Sequence, residues 1–220
     1  MTTVHLIDNQ LPTIQRSASI SDALKLAANY NVSHLPVIDD EKFEGLISEE
    51  DLLAASDSSK SIAELSSNLL SRSINATDHF LKAAQFCNLY RANIVPVKND
   101  EGEFIGSIPA YNLLNELGNL CGANEMGALI VLETEQSKLS ISEINSIVES
   151  DGAIILHLNI NTQPPSSLVR ITLQLNKKEV STIIASFERY EYSIVYYVGE
   201  EIFENDISVN YQNLMNYLDI

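Results

Sequence analysis

Five consecutive residues, Ile47-Ser48-Glu49-Glu50-Asp51, place a hydroxyl three residues before a carboxylate. If a strand ends and a helix begins here, Ser48 stands at the junction, where backbone N–H groups lack partners and can approach a phosphate. Asp51 then lies one helical turn on and on the same face. Its two oxygens can accept both hydroxyls of a ribose. The same spacing has a plainer use: Ser48 caps the helix and Asp51 sits in its first turn, where the helix dipole favours an acid. Spacing alone supports both readings.

Other reactive chemistry is sparse. The four histidines (His5, His34, His79, His157) and two cysteines (Cys87, Cys121) have no metal-ligand spacing. No nucleophile elbow, phosphate loop or dinucleotide fingerprint occurs, and no two carboxylates form a recognisable acid/base pair. The expectation is a protein that is not an enzyme and requires no cofactor or metal. Cys87 falls among apolar residues of a predicted helix and reads as a small core residue. Two cysteines are too few for a disulfide framework.

The elements that must position Ser48 and Asp51 belong to an internal repeat. Ala23, Pro36 and Val37 recur 60 residues later as Ala83, Pro96 and Val97. After one inserted residue, Gly45, Asp51 and Leu52-Leu53 recur 61 residues later as Gly106, Asn112 and Leu113-Leu114. A series in fixed order with a single shift points to duplication. In the first copy, Ala23, Leu24, Leu26, Ala27 and Tyr30 follow Ser21-Asp22, a possible cap, at helical spacing. Leu35-Pro36-Val37-Ile38 reads as a strand, Asp39-Asp40-Glu41-Lys42 as a hairpin turn, and Phe43 to Ile47 as the return strand. A second helix opens at about Glu49, and its counterpart at about Ala110. One helix–strand–hairpin–strand–helix unit cannot cover its own sheet; two packed together can.

Leu35-Pro36-Val37, the acidic hairpin, and Gly45-Leu-Ile-Ser-Glu-Glu-Asp-Leu-Leu53 resemble a CBS motif, and Val95-Pro96-Val97 through Leu114 resembles its partner. Residues 1–120, with repeats at about 11–57 and 71–117, are thus similar to a tandem CBS pair, or Bateman module. The resemblance implies two clefts, one or both of which commonly take an adenine nucleotide or related adenosyl compound. Ile47, Ser48 and Asp51 match the nucleotide-binding signature of that family. His34 and Pro36 match the strand that lines the adenine pocket. In the second cleft Ile108-Pro109-Ala110-Tyr111-Asn112 departs from the pattern: Pro109 has neither hydroxyl nor N–H, while the uncharged Asn112 can still bond a ribose. That cleft is expected to be weak or empty. Glu49 and Glu50 disfavour a polyphosphate, so AMP, adenosine or S-adenosylmethionine fits the first cleft better than ATP, unless Mg²⁺ bridges carboxylates to phosphates.

Gly118 to Glu125 reads as a linker with two of the eight glycines. Beyond it come a strand (128–133), a helix after Ser140 closed by Ser150-Asp151-Gly152, a strand (153–162), a turn at Gln163-Pro-Pro-Ser166, a strand over 168–175, a helix (179–190) and a strand (193–198). That order is the ferredoxin-like βαββαβ fold, and its place after a CBS pair resembles an ACT domain, as in acetoin-utilisation-type proteins. The fold class expected is therefore α+β, with a second domain over 126–220. An ACT domain usually takes an amino acid at an Asp–x–x–Gly-like turn. Here that turn is Gln136-Ser-Lys-Leu139, which lacks the glycine that permits close backbone approach. Tyr211, Leu214, Met215, Tyr217 and Leu218 suit a short amphipathic helix in the tail.

Composition narrows the partners. The chain has 220 residues, 45% apolar, and a net charge of −17. Binding of nucleic acid or anionic lipid needs clustered Lys and Arg, which this chain lacks. No apolar run approaches the roughly 20 residues that span a bilayer, and the N-terminus has no signal-peptide pattern, so the cytoplasm is the expected location. The leading expectation is a non-catalytic sensor, a homodimer by family resemblance, that binds an adenosine-containing ligand in the first cleft and acts on an unidentified regulated protein. The alternatives are a ligand-free dimerisation and interaction module, and an amino-acid sensor acting through the ACT-like domain.

Overall fold

The computed structural model describes residues 1–40, 42–162 and 166–199. The chain divides into two compact units, Met1–Leu117 and Gly118–Ile220. Glu41 of the first hairpin, residues 163–165 of the later turn, and the tail proposed as an amphipathic helix lie outside the described residues.

The first unit holds the duplication. Its first copy consists of β1 (Ile14–Gln15), α1 (Ile20–Tyr30), β2 (His34–Asp39), β3 (Lys42–Ser48) and α2 (Glu49–Ala54). The second repeats the order as β4 (Ile74–Asn75), α3 (Phe80–Tyr90), β5 (Ile94–Lys98), β6 (Phe104–Pro109) and α4 (Ala110–Leu120). Each copy has a three-stranded sheet in which the two-residue strand runs parallel to the next strand, and that strand pairs antiparallel with the third. The two-residue strands β1 and β4 are too short to show a period and were not expected from the sequence.

Local chemistry explains the helix ends. The cap of α1 is Ser19, not Ser21-Asp22: the Ser19 hydroxyl accepts from the Asp22 N–H at 3.0 Å and donates to its carboxylate at 2.8 Å. This reciprocal pair satisfies an N–H that the helix cannot. Both α1 and α3 end on a residue in the left-handed conformation, Asn31 (φ 52°) and Arg91 (φ 53°). α4 continues to Leu120, through the first three residues of the stretch read as linker.

Each copy is closed by a strap from the other side of the repeat. Residues 3–8, ahead of β1, lie on the second copy: Thr3 N–H donates to the Asp78 carbonyl at 2.9 Å, Asp8 N–H to the Ser107 carbonyl at 2.9 Å, and Leu6 is buried in the second core with Phe80, Val95, Val97 and Ile108. Residues 60–70, ahead of β4, lie on the first copy: Ile20 N–H donates to the Lys60 carbonyl at 2.9 Å, Leu46 and Leu70 exchange two backbone bonds, and Ile62 is buried in the first core with Ile20, Leu35, Val37 and Ile47. The cores also trade strand residues, Leu46 joining the second and Ile94 the first. Ser33 and Asn93, 60 residues apart, clasp each other: each backbone N–H donates to the other's side chain, at 2.8 and 3.1 Å.

The second unit is ferredoxin-like, in the order β7 (Leu129–Glu135), α5 (Ile141–Ser150), β8 (Ile155–Thr162), β9 (Leu168–Leu175), α6 (Ser181–Arg189), β10 (Ser193–Val198). Its antiparallel sheet runs β10-β7-β9-β8. Ile144, Ile147, Val148, Ile183 and Phe187 of the helices pack on Ile130, Leu132, Ile171 and Leu173 of the strands. Ser140 caps α5 by accepting from the Glu143 N–H at 3.3 Å. The buried Tyr192 hydroxyl donates to Glu143 at 2.9 Å; its burial, then the adjacent carboxylate, pushes the phenol up to about 12. The sequence alternation over 153–162 predicts Ile154, Leu156, Leu158 and Ile160 on one face, but the register shifts between Ile155 and His157, so Leu158, Ile160 and Ile155 pack on the core while Ile154 and Leu156 stay exposed. A β-bulge resets strand parity in this way.

Candidate functional site

β2 starts and β3 ends at the same place, where His34 stands opposite Ser48 in register and Pro36 opposite Leu46. Leu35, Val37 and Ile47 point into the first core, and strand alternation turns His34, Pro36 and Ser48 to the other face. Pro36 is buried there; His34, Ser48 and Asp51 are half-buried. The strand pair and the first turn of α2 thus bring together five of the six residues picked from the sequence: His34, Pro36, Ile47, Ser48 and Asp51. Ile47, fully buried, supports the site from the core side.

Ser48 ends β3 and caps α2. Its hydroxyl accepts from the Asp51 N–H at 3.0 Å and donates back to Asp51 Oδ2. The Glu49 N–H donates to the Ser33 carbonyl at 2.9 Å. Two of the N–H groups expected to face a phosphate therefore already have acceptors, and α2 has only six residues. The junction is better suited to a hydroxyl-bearing ligand than to a phosphate.

Asp51 Oδ1 accepts from Asn68 Nδ2 at 2.7 Å. Asn68 was missed in the sequence, because it lies on the strap, seventeen residues away, and only the fold brings it here. His34 Nδ1 is 2.9 Å from the Ser33 hydroxyl, which also donates to Asn93 Oδ1 at 3.0 Å. Burial holds the His34 imidazole below its ordinary range; the carboxylates of Asp51 and Glu50 oppose this in part. A neutral imidazole beside a carboxylate can stack on or hydrogen-bond a base while the carboxylate takes hydroxyls.

The sixth residue, Asn112, lies in the second copy, and its amide donates to the Leu6 carbonyl at 3.0 Å. Around it, Pro109 pairs in register with Ile94 and Ser107 with Pro96, so the second copy presents no histidine, serine or acid at the positions of His34, Ser48 and Asp51. Ser107, buried on this strand pair, has a hydroxyl without a protein partner.

Cavities lie beside and away from these residues. One of about 160 Å³ is bounded by Ala27, Asn31, Val32, Ser33, Glu49 and Asn93. A larger one, about 620 Å³, lies at the opposite ends of the strands, between the hairpins, where Phe43 and Phe104 stack with centroids 5.6 Å apart. Neither cavity is lined by any of the six residues, although the smaller one reaches Ser33 and Glu49, the neighbours of His34 and Ser48. Among the described residues no group of three or more His, Cys, Asp or Glu is placed to hold a metal ion, and no helix is long and apolar enough to cross a membrane. His79 caps α3, its Nδ1 accepting from the Leu81 N–H at 3.3 Å. Cys87 packs against the second core, and burial pushes its thiol up.

Comparison with known proteins matches residues 4–58 to the CBS domain family. No curated protein matches the chain. Among solved structures, a CBS-domain pair/ACT-domain protein of Thermotoga maritima is 20% identical over 54% of this chain and 98% of its own, with a TM-score of 0.49. CBSX2, solved in complex with AMP, is 23% identical over 54% of this chain and 96% of its own, with a TM-score of 0.45. The cytosolic domain of the Mg²⁺ channel MgtE, solved in complex with ATP, is 16% identical over 52% of this chain and 48% of its own, with a TM-score of 0.44. Residues 4–58 thus match the CBS domain family, and the element order of that stretch is repeated over the residues that follow.

Proposed function

We propose that this protein is a non-catalytic regulatory module whose first cleft binds an adenosine-containing ligand of low charge, such as adenosine, AMP or S-adenosylmethionine. One observation carries the reading. Ser19 and Asp22 have the same hydroxyl–carboxylate geometry as Ser48 and Asp51, but only the second pair has a half-buried histidine opposite it in register. The cap by itself needs no such neighbour. Asp51 would take the ribose hydroxyls and His34 with Pro36 would line the base. The acidity of Glu49 and Glu50, with two junction N–H groups already bonded, favours a ligand of few phosphates.

Calorimetric titration of adenosine, AMP, ATP and S-adenosylmethionine tests this. One of the low-charge compounds should bind more tightly than ATP, and Asp51→Ala should weaken it at least about tenfold, since hydrogen bonds to a charged acceptor are worth about 1.5–3 kcal/mol. No heat with any of the four, or equal binding by Asp51→Ala, rejects the proposal. A second reading, a ligand-free interaction module, is favoured by one specific feature: both Asp51 oxygens already have protein donors, and Asn112 is tied to Leu6. It predicts that substitutions at Ser48 and Asp51 change stability alone.

A further inference from the structure

We propose that Asn68 is a self-inhibitory latch on the first cleft, and that a ligand's ribose binds by taking its place on Asp51. This rests on the reading of Asp51 as the ribose acceptor. A cis-diol brings two O–H donors; with two lone pairs on each carboxylate oxygen, one hydroxyl can share Oδ2 with Ser48 while the other takes the donor position on Oδ1. Here Oδ2 is bonded by Ser48, a neighbour on the same turn, and Oδ1 is bonded at 2.7 Å by Asn68. The Asn68 amide is oriented for this contact, because its Oδ1 accepts from the Ser67 hydroxyl at 3.1 Å.

Asn68 is exposed and ends the strap turn Ile62–Asn68. Two residues on, Leu70 exchanges backbone bonds with Leu46 at 2.9 and 3.0 Å, and the strap then runs into β4 of the second copy. An exposed amide is the easier of the two donors to displace: it returns to water at little cost, whereas Ser48 also holds the helix start. Displacement frees the strap just before its pairing with Leu46, so occupancy of one copy reaches the other through the chain that joins them. The second cleft supports this by contrast. There Asn112, matching Asp51, is also tied to the crossing strap, but as donor to the Leu6 carbonyl at 3.0 Å. Both helix starts are latched to a strap; only the first latch occupies an acceptor that a ribose would use.

Calorimetry with AMP on the whole protein and on Asn68→Ala and Asn68→Leu, with hydrogen exchange over residues 62–70, tests the latch. Both variants should bind AMP about five- to tenfold more tightly, as expected when a competing hydrogen bond is removed from a charged acceptor. AMP should speed exchange over 62–70 in the wild type, and that segment should already exchange fast in both variants. Binding by the variants with none by the wild type supports the latch most directly. Equal affinity with unchanged exchange overturns the latch and leaves the ligand reading standing. Weaker binding by the variants also overturns it, making Asn68 a ligand contact. Tightening in Asn68→Ala alone overturns the exchange of donors, since bulk would then be what blocks the cleft. No binding of AMP, adenosine or S-adenosylmethionine by any of the three proteins overturns the ligand reading and the latch together.

Discussion

The Ser48 hydroxyl accepts from the Asp51 N–H at 3.0 Å, and Ser19 does the same for Asp22 at 3.0 Å. Two residues three apart can thus look alike in sequence and in contact, yet differ in what surrounds them. Asp22 is exposed and its nearest cation is Lys25 at 3.5 Å, whereas Asp51 is half-buried, with His34 close enough to feel its charge. His34 supplies a test at this scale. Burial lowers its proton affinity in the folded chain, while Asp51 and Glu50 raise it by less; among the described residues, the Ser33 hydroxyl lies at hydrogen-bond distance from it, at 2.9 Å. The unfolded chain titrates near the ordinary value of about 6.5. Between the two values the unfolded chain binds more protons, so stability rises with pH there. The neutral imidazole's contribution is complete above about pH 6.5 and is lost as pH falls through the lowered folded value. His34→Gln removes that dependence and leaves the other carboxylates in place. Urea midpoints of wild type and variant should converge, or cross, as pH drops from about 7.5 to about 5. A wild type–variant difference that stays constant across that range refutes the assignment.

At the scale of elements, Gly45 and Gly106 were visible in the sequence only as a matched pair, and the straps supply the reason for both. A Cβ on Gly45 would stand 2.9 Å from Leu69 Cβ and 3.1 Å from the Leu70 carbonyl oxygen. A Cβ on Gly106 would stand 2.6 Å from Ile7 Cγ2, and its φ of 140° already disfavours any side chain. Each glycine clears the path of the strap that crosses its strand. Gly45→Ala should cost about 1–3 kcal/mol by overpacking, and Gly106→Ala more, because backbone strain of about 1–3 kcal/mol adds to the clash. Urea denaturation reads both; two variants within about 0.5 kcal/mol of wild type, the ordinary scatter of surface changes, would show that the straps yield freely. The same scale shows why parts of the fold were legible. The main helices and strands of both copies follow from periods of several residues, and the later βαββαβ order from clear alternation. β1 and β4, at two residues each, have no period. The bulge at Leu156 leaves the alternation intact in sequence while turning Ile154 and Leu156 outward. Ser19, rather than Ser21, takes the α1 cap because the buried face of the helix begins at Ile20, three residues before Ala23.

For the first unit as a whole, duplication could be read along the chain but the exchange of straps could not, since it is a matter of which copy each segment touches. Asn68 escaped notice for that reason, and the stretch from Ile47 to Asp51 did not, being local. The exchange makes the two copies one folding unit. Leu6 precedes the first copy in sequence and is buried in the core of the second; Ile62 precedes the second and is buried in the core of the first. The Ser33–Asn93 clasp binds the copies again, and it hangs both later helices from one point, because the Ser33 carbonyl accepts from the Glu49 N–H and the Asn93 carbonyl from the Ala110 N–H at 2.8 Å. Truncating a buried Leu or Ile to Ala costs about 2–5 kcal/mol, and where that cost is felt identifies the core it belonged to. Hydrogen exchange resolves the place, because local opening need not follow global stability. Leu6→Ala should lower protection first over Phe80–Tyr90 and Ile94–Lys98, and Ile62→Ala first over Ile20–Tyr30 and His34–Asp39. If each substitution instead loosened the copy next to it in sequence, the straps would not cross in solution, and the route from Asn68 to the second copy would close with them.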